Sequence, residues 1–289
     1  MSDESTTAAD AQTVAILLDR IAEVCPIPAA AQRVMMIAGA VDADIGEVAE
    51  ALAGDPALAA EAMRIANSAV FRRGRPVDTL GHAVLTLGLS QIHQMASAMA
   101  LMAAFRSEHE MSVLFHRSSV LSGSLAGLLA NELGGIDCGV AFVAGLLSEV
   151  GAMACIAVDG EAYSALLQDA DGDWDRRGQL EREHYTLTSW EIGERLLSRN
   201  ALPETITSAV GANYDTPVEA LSVLARVTMF GRVVAPEILN LPHDFELSVL
   251  KERFEQVAQR CHVDNVPATR LVAVCHGALS ATEHTMVPS

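Results

Sequence analysis

The stretch Asp55–Ile92, DPALAAEAMRIANSAVFRRGRPVDTLGHAVLTLGLSQI, constrains the fold of this chain more than any other. Asp55 ahead of Pro56 predicts a helix start, because the carboxylate can accept from a first-turn N–H and proline lacks an N–H that would have no partner there. Leu58, Ala59, Ala62, Ile65 and Ala66 follow at helical spacing while Glu61 and Arg64 face outward, so one side is ready to pack. Asn67-Ser68 ends this helix. A loop with three arginines, Arg72, Arg73 and Arg75, leads to Thr79, which can cap a second short helix with Leu80, Ala83, Val84 and Leu87 inward. Gly88 closes it, as a left-handed C-terminal residue would.

The rest of the chain reads as more helices. Apolar residues make up 51% and aromatics 4%, and Ala and Leu dominate, which suits close-packed helices better than sheets built on β-branched and aromatic side chains. The fold class is therefore all-α. A length of 289 residues allows one large domain or two smaller ones. A formal charge of −18 repels a phosphate backbone, which argues against general nucleic-acid binding, although a local basic patch can still hold an anion. The acidic start MSDESTTAAD is no secretory signal, and the expected location is cytoplasmic. Val140–Val158 is the most apolar long segment, yet Ser148-Glu149 interrupts it, so it reads as a buried central helix rather than a membrane span. Cys25, Cys138, Cys155, Cys261 and Cys275 are odd in number and form no CxxC pair, which points to reduced, packed thiols.

In chain order, residues 1–9 read as a polar tail. Val14, Leu17, Leu18 and Ile21 predict a first helix stopping at Cys25-Pro26, Pro28 opens a second, and Asp44 caps a third. Ser90 is expected to cap a long helix whose Met95 and Met99 read as core filling rather than as a partner-binding face. Ser107–Glu110 reads as a polar joint, and 111–132 as one helix. A short helix from Glu161 gives way to Asp169–Asp173, a solvated turn: its aspartates resemble a calcium loop, but position 180 is Leu where the closing glutamate belongs. Thr188 with Glu191 fits a capping box, Pro203 starts the next helix, and Thr216-Pro217 signals another through about Val234. Helices over 245–258 and 269–279 complete the reading.

The run DPALAAEAMRIANSAVF followed by TLGHAVLTLGLSQI resembles the signature of the HDOD family, signalling domains related to HD-type metal phosphohydrolases but lacking their metal site. The likeness extends upstream to Pro26-Ile27-Pro28 and, more weakly, downstream to about Asp215. It implies a helical lobe over 10–105, an HD-like helical lobe over 106–215 and a C-terminal helical extension over 216–289. HD enzymes need His nitrogens and carboxylates converging on a metal. By resemblance, the corresponding positions here are Arg117, with His116 one residue off and rotated by about 100°; Ser148 and Glu149; Trp190; and Asn213 and Tyr214. Only Glu149 is a strong ligand, so no catalytic or metal residue is assigned, and no cofactor is expected. Arg117 and Glu149 either pair across the former metal pocket or each turn to water.

Other candidates are weaker. Cys261-His262 and Cys275-His276 match no zinc spacing, and His82 and His93 have no evident carboxylate partner. No GxSxG, GxGxxG or P-loop occurs. Arg64, Arg72, Arg73 and Arg75 form the one positive cluster, either an anion or partner site or a solvated loop. The resemblance implies a non-catalytic bacterial signalling protein acting as an interaction scaffold for other signalling proteins. The alternatives are a sensor of a nucleotide second messenger held by the basic loop, and a metal-dependent phosphohydrolase disfavoured by its missing ligands.

Overall fold

The computed structural model describes residues 3–286 except 27–28, 39, 41, 69, 72–75, 106–108 and 241–249. Among them all regular structure is helical, so the all-α reading holds. The chain opens with α1 (Asp3–Val24), α2 (Ala29–Ala38), α3 (Ile45–Ala53), α4 (Pro56–Ala66), α5 (Leu80–Leu87) and α6 (Leu89–Ala104). The polar tail expected over 1–9 is a correction: residues 3–9 form the first turns of α1, where Asp3 and Glu4 favour a helix N-terminus and Ala8 and Ala9 are strong helix formers.

Caps in this half follow the local chemistry. Asp44 accepts from the N–H groups of Gly46 and Glu47 at the start of α3, Asp55 Oδ1 accepts from Leu58 N at 3.1 Å, and Thr79 Oγ1 accepts from His82 N at 3.1 Å. Gly88 has φ +84° and ψ 153°, a conformation open essentially to glycine alone, and it lets α5 turn directly into α6. Ser90 is therefore inside α6 and is not its cap; Gly88 occupies that place without a side-chain bond. Asn67 does more than end a helix. Its amide nitrogen donates to the carbonyls of Met63 and Val77 at 2.9 and 2.8 Å, and its oxygen accepts from Val77 N at 2.8 Å, so one side chain ties the end of α4 to the far side of the arginine loop. Met95, Met99 and Met102 are buried in the core.

The second half is built on α7 (Glu110–Leu133), which packs against α8 (Cys138–Leu146), α13 (Val223–Leu239) and α15 (Ala268–Met286). Between them come α9 (Val150–Ala170), α10 (Trp174–Tyr185), α11 (Ser189–Arg199) and α12 (Glu204–Gly211), with α14 (Lys251–Arg260) bridging α13 and α15. The segment after 216 thus supplies core helices that lie against α7. Its first helix begins later than Thr216-Pro217 suggested: Val218–Ala220 makes a single 3-10 turn, and Ser222 caps α13 by accepting from Ala225 N at 3.0 Å. The capping box at α11 is complete, with Glu191 N donating to Thr188 Oγ1 and Thr188 N donating to Glu191 Oε2. Two stretches, Glu110–Leu133 and Cys138–Ala170, are long and apolar enough to cross a membrane, but most of each is buried among other helices.

Candidate functional site

The run 140–158, expected as one helix, is divided. α8 stops at Leu146, α9 begins at Val150, and Glu149 has φ −109° and ψ 13° in the elbow between them. An acid inside an apolar run must find a counter-charge, and the elbow turns Ser148 and Glu149 toward the centre of the fold. Ser148 lies 3.2 Å from Ser122 of α7, hydroxyl to hydroxyl. Glu149 is 2% exposed. Beside it, Gly151 lets α9 press against the first turn of α11: a Cβ there would collide with the Ser189 carbonyl oxygen and lie 2.7 Å from Gly193 N. This brings Ser189 and Glu149 within reach of one guanidinium.

That guanidinium belongs to Arg177, not Arg117. Arg117 is exposed on α7, while Phe115 and Ser118, about 200° and 100° from it around the helix, face inward. Arg177 sits on α10, whose start Asp173 caps by accepting from Asp175 N and Arg176 N. Arg177 Nη2 donates to Glu149 Oε2 at 3.0 Å, Ser189 Oγ at 2.8 Å and Tyr163 OH at 3.1 Å. Its Nε donates to Glu181 Oε1 at 2.9 Å. Glu181 is fully buried and also accepts from Tyr163 OH at 2.5 Å and Ser189 N at 2.7 Å. Three rings enclose the cation, with Trp174, Phe115 and Trp190 centroids 4.9, 5.6 and 5.9 Å from Cζ. Burial pulls the Arg177 pKa down, but Glu149, Tyr163 and Glu181 outweigh it and hold the guanidinium well above its ordinary value.

A second buried arginine lies on the other side of Trp190. Arg232 of α13 is 3% exposed, with Cζ 5.4 Å from the Trp190 ring. It donates to the carbonyls of Val210, at 2.9 Å, and Ala212, so its head is held by backbone at the end of α12. Burial lowers its pKa, which the more distant Glu149 partly offsets.

Two cavities flank Trp174. The first, about 290 Å³, runs from the Met111–Leu114–Phe115–Ser118 face of α7 to Glu149 and Arg177. The second, about 280 Å³, is bounded by Trp190, Asn213, Tyr214 and Arg232. The sequence positions therefore separate: Glu149 lines the first cavity, Trp190, Asn213 and Tyr214 the second, Ser148 is packed against Ser122, and Arg117 is outside. Tyr214 is stacked under Arg260, whose Cζ is 3.7 Å from the ring centroid.

These residues do not fit a catalytic metal. Glu149 has given one oxygen to Arg177, tryptophan offers no ligand, and a fixed guanidinium repels a divalent cation. No group of three or more His, Cys, Asp or Glu converges as a ligand set among the described residues. Cys261 and Cys275 are buried free thiols, the former pushed up to about 12 by burial, while His262 and His276 are exposed. His82 is a small correction, since its Nδ1 comes within 3.9 Å of Asp78 one turn earlier at the surface. His93 Nδ1 lies 3.0 Å from the Met35 carbonyl. Of the basic cluster, Arg64 is partly buried on α4, and Arg72, Arg73 and Arg75 lie outside the described residues.

Sequence reasoning missed Arg177, Glu181, Tyr163 and Arg232. α10 escaped because its sequence, WDRRGQLEREHY, has almost no apolar periodicity. Two signals were present: Arg177 and Glu181 stand four apart on one helix face, and Arg232 is a single cation within an otherwise apolar run, VTMFGRVVA.

The HDOD domain family matches residues 24–216 of the chain. A protein of Shewanella amazonensis SB2B described as a candidate phosphohydrolase superposes with TM-score 0.71 at 21% identity, over 94% of this chain and 98% of its own. An HDOD domain protein of unknown function from Geobacter sulfurreducens superposes with TM-score 0.59 at 23% identity, over 95% and 100%. A candidate signal transduction protein of Marinobacter aquaeolei VT8 gives TM-score 0.57 at 19% identity, over 93% and 66%. No curated protein matches the sequence. At these identities the superpositions establish the shared helical fold, and with a family match spanning most of the chain, this protein belongs to the HDOD family.

Proposed function

We propose that this protein is a non-catalytic regulatory scaffold of a bacterial cytoplasm, transmitting signals by binding other signalling proteins. Membership of the HDOD family supports a signalling role, and a relative of the same fold is described as a signal transduction protein. The observation that carries the non-catalytic part is the Glu149–Arg177–Glu181 cluster. A positive side chain stands where a metal would otherwise balance the acids, so charge compensation is internal and no Lewis acid is needed to hold the core together. The shell of helices is kept and its centre serves stability.

The experiment is elemental analysis of protein purified without chelator, combined with phosphomonoester and phosphodiester hydrolysis assays in Mg²⁺, Mn²⁺ and Fe²⁺. The expected result is substoichiometric metal and rates equal to buffer. Stoichiometric metal with turnover that disappears in Glu149→Gln would overturn the reading. For the scaffold part, capture from the native lysate is expected to retain a defined partner; no retained protein across several growth conditions counts against it.

A further inference from the structure

We infer that the cavity between α7, the α8–α9 elbow and α10 is a binding site for a small amphiphilic cation, an apolar or aromatic body carrying a primary ammonium group. The cavity holds about 290 Å³, at the lower end of the roughly 300–1,000 Å³ typical of ligand pockets. Met111, Leu114 and Phe115 from one face of α7, with Leu167 and Trp174 opposite, give it an apolar wall.

Its charged groups are few and mainly acidic. Glu149 Oε2 is taken by Arg177, while Oε1 receives no hydrogen bond among the described residues, and Glu149 lines the cavity. Ser118, 2% exposed and also lining it, has a hydroxyl with no hydrogen-bond partner among the described residues. At the mouth stand Asp173 and Glu237, the latter paired with Arg253. Arg177 is the one cation in the lining, and its charge is met by two carboxylates, Glu149 and Glu181. Arg232 bounds the other cavity, beyond Trp174 and Trp190. An incoming group therefore meets an excess of negative charge and a carboxylate oxygen open to the cavity, on a chain of net charge −18. An ammonium supplies three donors, enough for Glu149 Oε1 and Ser118 Oγ together, and Phe115 and Trp174 offer faces for its body. An anion would be rejected by the same acids. This site goes beyond the regulatory reading and stands whether or not a protein partner is found.

The test is calorimetric titration of the full chain with phenethylamine, 2-phenylethanol and phenylacetate, which share a body and differ in the head group. Saturable binding of the amine is expected, at least tenfold tighter than the alcohol, with phenylacetate not bound. Glu149→Gln should weaken the amine about tenfold. Because that change also loosens Arg177, Leu114→Trp provides a second variant: it fills the cavity from a partly buried position and should abolish binding while the far-UV circular dichroism is unchanged. Phenylacetate binding as well as the amine, no saturation by phenethylamine up to millimolar concentration, or full affinity in a folded Leu114→Trp protein would each overturn the assignment.

Discussion

The Asp55–Ile92 unit and the Arg177 cluster are both held by polar side chains, but they are assembled over different distances. In the first, Asp55, Thr79 and Asn67 act on backbone at most ten residues away, and each of these bonds joins a side chain to a main-chain group. In the second, Arg177 reaches Glu149 across 28 residues, Tyr163 across 14 and Ser189 across 12, and its partners are buried side chains, the carboxylates of Glu149 and Glu181 among them. Local capping tolerates loss because the backbone group left behind can often find water. A buried ion cluster does not, because removing one member strands the others.

The largest expected effect follows from that asymmetry. Arg177→Met leaves Glu149 and Glu181 buried without their cation and should cost about 3–5 kcal/mol in denaturant unfolding. If all three are replaced together, as Glu149→Leu, Arg177→Met and Glu181→Leu, stability should recover about half of that loss: the charge imbalance is gone, but Ser189 N–H and the Tyr163 hydroxyl lose their acceptor on Glu181. A triple variant as unstable as the single one would break the comparison.

Gly151→Ala comes next. Its methyl meets backbone of Ser189 and Gly193 rather than a flexible side-chain end, so α9 and α11 must separate, at a cost of about 3 kcal/mol. A crystal structure of the variant should show the Arg177–Ser189 hydrogen bond lengthened. In the other region, Asn67→Ala removes three hydrogen bonds at a half-buried place and should cost about 2 kcal/mol, with faster amide exchange confined to the ends of α4 and α5. Exchange increasing throughout the second half would mean the two regions are more tightly coupled than this account has them.

The smallest effect concerns pH. Burial tends to raise the Glu191 pKa, but hydrogen bonds from Thr188 and Arg182 prevail and hold it below the ordinary 4.5. A carboxyl lowered in the folded state contributes stability that is present above pH 4.5 and lost as pH falls through its folded value. Glu191→Gln should therefore flatten the stability profile below about pH 4.5 and leave its shape near pH 7 unchanged, as read by melts across pH. An unaltered acid limb would show that the capping box is not responsible.

How much could be read in advance differs between the two regions for the same reason. Caps and stops such as Asp44, Asp55, Thr79, Gly88 and the Thr188–Glu191 box involve residues two to four apart, so the sequence alone located them. Where local signals competed, it erred: Ser90 looked like a cap two residues too late, and Thr216-Pro217 announced a helix that Ser222 begins. Of the two alternatives for Arg117 and Glu149, the pairing had the right chemistry and the wrong residue, because nothing local says that α10, nearly devoid of apolar periodicity, folds its Arg177 over the elbow.

By itself, then, the sequence determined an all-helical chain, its family and most of its helix ends, because those depend on backbone groups satisfied within a turn or two. Tertiary structure alone decided which cation faces Glu149, that Trp174 borders two cavities, and that Arg232 rests on backbone carbonyls. A buried charge takes whichever partner packing brings within about 3 Å, and that choice is made by the meeting of helices far apart in the chain.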